Sequence, residues 1–130
     1  MVVTATLSSG PVMIYNGQEV GEPAKGTEGF GGDDGRTSIF DYWGVPQHQK
    51  WMNDGAFDGG KLNEDEKKLR QFYSKLLNLA TTNEAISSGN FYELLKANKA
   101  SAGFNDKVYA YLRYTEKKRV LVFSLCRLIF

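Results

Sequence analysis

Hydrophobic residues follow one another without alternation near the start of the chain, from Val12 to Tyr15. A strand without alternation is usually buried on both faces, as in the parallel sheets of α/β proteins. The run stops at a polar segment bracketed by glycine, Asn16 to Gly21. The pattern therefore predicts a buried parallel strand that carries an amide and a carboxylate at its end. The short apolar segment before it, Val2 to Leu7, fits the tail of a helix.

A long segment without a sustained period, residues 17–61, follows the predicted strand. It is rich in glycine and contains several aromatic residues and paired acids. Loops of this length in compact domains are usually functional or disordered, and the aromatic residues favour an ordered, functional loop. Within it, a helical turn is predicted only around Gln47 to Met52.

An amphipathic helix is predicted after this loop. Asn63 is a suitable N-cap, and Glu66 stands three residues later in the capping-box position. Apolar residues then recur at the i, i+3, i+4 spacing of one buried helix face. These residues are Leu69, Phe72, Tyr73, Leu76, Leu77 and Ala80. The pattern predicts a helix from Asn63 to about Ala85, with most of its basic residues on a solvated flank.

The remaining chain changes to β-type patterning. Strands are predicted at Phe91 to Leu95, Val108 to Thr115 and Arg119 to Leu125, and Lys107 to Cys126 is expected to form a hairpin. One parallel strand, a loop, a helix and a few antiparallel strands do not make an independent fold, because each strand needs hydrogen-bonding neighbours. The sequence is typical of a part of a larger structure.

Composition narrows the class of protein. The 130 residues, 42% hydrophobic and 24% charged, correspond to one ordinary globular domain or to pieces of two. A net charge of +1 gives no electrostatic reason to expect nucleic acid or an anionic membrane as partner. The single cysteine, Cys126, excludes an internal disulfide and a multi-thiolate metal site. Aromatic residues make up 13% of the chain, and aromatic faces on loops suit sugars, flat apolar ligands or a partner domain.

Four segments in order carry a family resemblance. GPVMIYNGQE (residues 10–19), followed by VGE, resembles the eighth barrel strand of α-amylase superfamily glycoside hydrolases. GFGGDDGRTSIFDYWGVP (residues 29–46) resembles the loop after that strand in bacterial α-amylase and neopullulanase-like members. The helix of residues 63–85 is similar to the eighth barrel helix, and residues 89–125 are similar to the opening strands of the C-terminal β-sandwich. The resemblance extends to about Phe123.

The resemblance implies an α/β plus β fold. Residues 1–86 would be the last β-strand, long loop and last helix of a (β/α)8 TIM barrel, the C-terminal part of a catalytic domain. Residues 89–130 would be the truncated start of an antiparallel β-sandwich C-terminal domain. The remainder of the barrel would then be the missing intramolecular partner. The polar end of the strand would lie at the barrel mouth, where the active sites of such barrels are assembled.

The family hydrolyses α-glucosidic bonds with retention, through one carboxylate nucleophile and one carboxylic acid. Its three catalytic carboxylates come from the fourth, fifth and seventh strands, which precede the residues of this chain. The resemblance therefore implies a fragment of an α-glucan hydrolase without catalytic residues and inactive alone. No family motif assigns a catalytic role to the acids near the strand end and in the loop, Glu19, Glu22, Asp33, Asp34 and Asp41.

The resemblance also bears on partners and cofactors. An α-glucan oligosaccharide or polysaccharide is the expected ligand of the parent enzyme, and we expect no nucleic acid and no membrane as partner. We expect no cofactor; the family allows calcium in the full-length parent, but no ligand-spaced cluster in this sequence supports a metal site. The parent could be cytoplasmic, periplasmic or secreted, and the sequence leaves these alternatives open.

Candidates for substrate binding are Glu19, Arg36, Tyr42 and Trp43. Glu19 either orients a side chain at the mouth or stabilises the local fold. Arg36 either pairs with a loop carboxylate or reaches sugar hydroxyls. Tyr42 and Trp43 form either a stacking platform for glucose or a hydrophobic anchor for the loop. The lone histidine, His48, matches no motif and is interpreted as incidental.

Two other interpretations remain open. The chain could be a non-catalytic module that binds glucan or docks a partner through the aromatic residues between Phe30 and Trp51. It could also be a non-functional truncated reading frame, which the apolar tail after Phe123 favours.

Overall fold

The computed structural model describes residues 1–23 and 45–125. These residues form five α-helices, two 3₁₀ turns and one antiparallel sheet of three strands. The helices are α1 (Val2–Thr6), α2 (Pro46–Met52), α3 (Glu64–Thr82), α4 (Glu84–Ser87) and α5 (Leu94–Ala97), and the 3₁₀ turns are Gln18–Val20 and Asn53–Gly55. The strands are β1 (Asn90–Glu93), β2 (Val108–Tyr114) and β3 (Arg119–Leu125).

The chain divides into two compact units. The first unit consists of Met1–Val12 and Leu76–Phe130, and the second consists of Met13–Lys75. Residues 64–75 of α3 therefore belong to the second unit and residues 76–82 to the first.

The predicted barrel is not present in the part of the chain that the structure describes. Val12 to Tyr15 belong to no strand, and Met13 and Tyr15 are 87% and 46% exposed. The one sheet of the described residues is antiparallel and has the strand order β1-β2-β3, and it does not include this segment. A strand forms only beside another strand that pairs with its backbone, and no strand of the described residues pairs with this apolar run. The predicted fold, the end of a TIM barrel followed by the opening of a β-sandwich, is therefore wrong for this structure.

Helix α3 forms where the apolar period and its cap predict it. The side-chain oxygen of Asn63 accepts a hydrogen bond from the Glu66 amide at 2.9 Å. In return, Glu66 Oε2 accepts one from the Asn63 amide at 2.7 Å. This reciprocal pair confirms the predicted capping box. The helix ends at Thr82, before the predicted end, because Asn83 caps the separate helix α4 through a hydrogen bond from the Ala85 amide.

The predicted hairpin is confirmed as β2 and β3, with Leu112 opposite Leu121, and β1 pairs with the other edge of β2. One face of this sheet carries Tyr111, Arg113 and Val122, which are 0%, 3% and 8% exposed. This inner face forms part of the core of the first unit, together with buried helix residues such as Ala5 and Ile86. Strand β1 ends earlier than predicted because the side chain of Glu93 accepts hydrogen bonds from the Lys96 amide and caps α5.

Candidate functional site

Glu19 lies in the 3₁₀ turn Gln18–Val20 of the second unit, and two glycines shape this turn. Gly17 and Gly21 bracket it with left-handed φ angles of 82° and 74°. A Cβ atom at Gly17 would lie only 2.4 Å from the Cβ of Glu22, so this position requires glycine. Val20 is fully buried and anchors the turn. The local sequence therefore holds the Glu19 backbone in one conformation.

Glu22 fixes the position of helix α2. Its Oε2 accepts hydrogen bonds from the backbone amides of Gln47 at 2.9 Å and His48 at 3.2 Å. The N-cap residue of α2, Val45, makes no side-chain cap, so Glu22 satisfies amides that the helix leaves unpaired. Its negative charge also lies at the positive end of the helix dipole. Glu22 thereby holds α2 close to the turn that carries Glu19.

Two basic side chains face the Glu19 carboxylate. His48 Nε2 lies 3.6 Å from Glu19 Oε1, and Arg70 Nη1 lies 3.7 Å from the same oxygen. Both distances are too long for hydrogen bonds, so the contacts are electrostatic. The contact with His48 is an ion pair only when its imidazole is protonated. The Glu19 side chain is 22% exposed, which weakens solvent screening without removing it.

Arg70 also covers an aromatic ring. Its guanidinium carbon lies 4.5 Å from the ring centroid of Trp51, a cation–π geometry. The ring of Phe57 meets Trp51 edge to face, with the centroids 5.8 Å apart. Arg70 therefore connects the Glu19 carboxylate to the indole. We call Glu19, His48, Trp51 and Arg70 the Glu19 cluster.

A cleft lies beside the Trp51 side of this cluster. Its volume is about 370 Å³, within the range of small-ligand sites. Besides Trp51 and Arg70, it is lined by Asp58, Lys67, Gln71 and Ser74. An indole next to polar side chains can contact the ring face and the hydroxyls of a sugar at the same time.

Two carboxyl groups of the second unit are held in the ionised form. The hydrogen bond from Lys50, at 2.8 Å, lowers the pKa of Glu66, with the Asn63 amide adding to it against partial desolvation. The Asn53 side chain and the Gly60 amide lower the pKa of Asp58. A general acid needs a raised pKa, so neither group is suited to donate a proton near neutral pH.

No protein-family model, curated protein or solved structure matches this chain. The family resemblance therefore rests on sequence motifs alone. Across residues 1–23 and 45–125, no three or more His, Cys, Asp or Glu side chains converge as they would around a metal ion. None of the described helices has the length and apolar character needed to cross a membrane.

Of the four predicted site residues, Glu19 is placed by the structure. Arg36, Tyr42 and Trp43 lie outside the described residues. Glu19 makes its contacts with residues outside the predicted site: His48 matches no motif, and Arg70 is one of the basic residues of α3. One signal was present, because His48 and Trp51 are three residues apart and so share one face of α2. The partner of that face could not be read from the sequence.

Proposed function

We propose that this chain is the C-terminal part of a retaining α-glucan hydrolase of the α-amylase superfamily and that it does not hydrolyse glucans alone. The order of the four resembling segments supports the family. The structure adds no support from a barrel strand, because Val12 to Tyr15 form no strand. The structural observation that carries the proposal is the position of Glu19, the last residue of the GQE motif, against His48 and Arg70.

In this proposal Glu19 is a positioning residue. Its carboxylate faces two basic side chains within 4 Å, so it is suited to orient them. Arg70, in contact with both Glu19 and Trp51, is the group that would be aimed by this arrangement. A guanidinium held in this way can donate hydrogen bonds to sugar hydroxyls at the adjacent cleft.

The chemistry of retention supports the expected lack of activity. Retaining hydrolysis needs two carboxyl groups about 5–5.5 Å apart, one of them protonated before it acts. The pKa values of Glu66 and Asp58 are lowered, so these groups are not suited to be the protonated member of such a pair. Glu22 is committed to two backbone amides of α2. These contacts indicate that the carboxylates stabilise the second unit and do not act as a catalytic pair.

The proposal is tested by incubating the purified chain with soluble starch, pullulan and maltooligosaccharides and measuring the release of reducing sugar. We expect no release above a buffer blank. Reproducible hydrolysis that the Glu19→Gln variant abolishes would show that the chain is itself an enzyme and contradict the proposal. Family membership is tested by the nucleotide sequence upstream of the reading frame, which should encode further α-amylase motifs in frame; a non-coding or unrelated upstream sequence contradicts it.

A second candidate function, a non-catalytic glucan-binding module, is favoured by the cleft beside Trp51. This function predicts a change in tryptophan fluorescence when soluble starch is added, which Trp51→Ala or Trp43→Ala weakens. One face of Trp51 is already covered by Arg70, so only the remaining surface of the indole is available to a sugar. A titration without any fluorescence change excludes this function.

A further inference from the structure

The sheet of the first unit has a second face that is apolar and largely exposed. On β3, Leu121, Phe123 and Leu125 are 58%, 70% and 75% exposed. Their partners on β2 are also apolar, and Tyr92 of β1, 51% exposed, continues the same face. We call this the outer face; its residues are Tyr92, Val108, Ala110, Leu112, Leu121, Phe123 and Leu125.

A sheet with one solvated face normally alternates apolar and polar residues. Here the inner face already contains the buried residues Tyr111 and Val122, and the outer face is apolar as well. Arg119, which lies on the same side of the sheet as the outer face, is at the hairpin end of β3. A contiguous apolar patch of this kind marks an interaction surface.

A groove crosses part of the outer face. Helix α5 and the residues after it lie beside the sheet and leave a space of about 490 Å³. It is lined by apolar residues that include Leu94, Leu95, Phe104, Ala110, Leu121 and Phe123. This volume is ample for one aromatic ring. The highly exposed Phe123 therefore lies next to a space that can accept a side chain like its own.

We propose that the outer face is the interface of a homodimer, in which two copies pack their outer faces together and each Phe123 enters the groove of the other copy. A twofold interface uses the same patch on both subunits, so the patch must be complementary to itself. The outer face meets this condition because it offers both an exposed ring and a matching groove, and its apolar residues bring no like charges together.

The area is sufficient for a reversible dimer. Tyr92, Leu121, Phe123 and Leu125 are each more than half exposed. With side chains of this size, the outer face offers on the order of 500 Å² per copy. Two copies would bury about 1,000 Å², less than the roughly 1,200–2,000 Å² of stable interfaces and typical of weak, transient ones. We therefore expect a dimer that dissociates in the micromolar range of concentration.

Sedimentation equilibrium over about 1–200 µM tests the proposal. The wild-type chain should fit a reversible monomer–dimer equilibrium, and Phe123→Lys should raise the dissociation constant at least tenfold. Met13→Lys is the matched control, because Met13 is also an exposed apolar residue, 87% exposed, and lies in the second unit. It should dimerise like the wild type.

Circular dichroism establishes that the variants are folded. If Phe123→Lys loses the wild-type spectrum, Leu121→Lys replaces it, since Leu121 is also mostly exposed. A wild-type chain that stays monomeric over the whole range overturns the proposal, because something other than a second copy then covers the face. Lysine variants that dimerise as tightly as the wild type, or wild-type association that grows beyond a dimer without a plateau, overturn it as well.

Discussion

Arg113 Nη2 donates a hydrogen bond to the carbonyl oxygen of Ile86 at 2.8 Å, and the arginine is only 3% exposed. Its Nη1 donates a second bond, at 3.3 Å, to the carbonyl of Leu7. These carbonyls lie at the C-terminal ends of α4 and α1, where the helix dipole favours a positive charge. One side chain of β2 therefore connects the sheet to two helix ends in the first unit.

Replacing Arg113 by methionine should destabilise the chain by about 1–3 kcal/mol, because the buried Ile86 carbonyl and the partly buried Leu7 carbonyl lose this donor. Urea unfolding followed by circular dichroism measures this change. Arg119→Met is the matched control on β3, where the side chain is exposed, and it should stay within about 0.5 kcal/mol of the wild type. Equal effects of the two substitutions would contradict the role given to Arg113.

Tyr111 should make stability depend on pH in the alkaline range. Burial raises the pKa of its phenol above the ordinary value, although its hydrogen bond with Thr6, at 2.6 Å, opposes this shift. The folded state therefore retains a proton that the unfolded state releases near pH ~10. This stabilisation is complete below the unfolded pKa and is lost as the pH rises through the folded pKa.

Tyr111→Phe should remove this dependence and cost about 0.5–1.5 kcal/mol at neutral pH, since the Thr6 hydroxyl loses its buried partner. The measurement is urea unfolding at several pH values between neutral and strongly alkaline. Tyr92→Phe, at an exposed position of β1, should keep the wild-type slope. A Tyr111→Phe variant whose stability still falls with the wild-type slope would argue against a buried, late-titrating phenol.

Glu66 should contribute to stability on the acid side. The hydrogen bond from Lys50 is the main reason why the pKa of Glu66 is lowered. A lowered pKa means that the stabilising contribution is present above the unfolded pKa of about 4.3 and is lost as the pH falls through the folded pKa. Glu66→Gln keeps an acceptor for the Asn63 amide but removes the charge, so its stability should fall less steeply below pH ~5.

Thermal unfolding at a series of acid pH values compares Glu66→Gln with the wild type. Glu64→Gln is the control, because Glu64 also lies in the first turn of α3 but its side chain is 80% exposed, and its ion pair with Lys67, at 3.3 Å, lies at the surface. It should reproduce the wild-type slope. Identical slopes for Glu66→Gln and the wild type would show that Lys50 does not hold this carboxylate.

Arg70 should protect Trp51 from solvent. In a Trp43→Phe background Trp51 is the remaining tryptophan, so its fluorescence is read directly. Arg70→Ala should move the emission to longer wavelength and destabilise the chain by about 0.5–1 kcal/mol, because the covering guanidinium is lost. Lys68→Ala, which removes a side chain that is 73% exposed, should leave the emission unchanged. An unchanged emission after Arg70→Ala would contradict the stacked geometry.

Local structure could largely be predicted from particular residues. The pair Asn63 and Glu66 specified the start of α3, because each side chain bonds the backbone of the other within one turn. The alternation in Arg119 to Leu125 specified a strand, since neighbouring side chains of a strand point to opposite faces. The predicted ends of α3 and β1 were too late, because Asn83 and Glu93 cap the next helix where the apolar pattern continues.

The candidate site could be predicted only in part. Glu19 was selected from its motif, but Arg70 lies 51 positions away and meets it only through folding. No periodicity in the sequence encodes that contact, because pattern and propensity act over a few residues. Only the tertiary structure therefore shows that Arg70 lies at the candidate site and not on a solvated flank of α3.

The sequence by itself determined the start of α3 and the hairpin of β2 and β3, because caps, periodicity and turns act between near neighbours. The tertiary structure decided the fate of Val12 to Tyr15. An apolar run becomes a strand only when another strand satisfies its backbone, and none does so in the described part of this chain. The same reason applies to the outer face of the sheet. The sequence specifies that its residues are apolar, but their exposure depends on what packs against them in the folded protein.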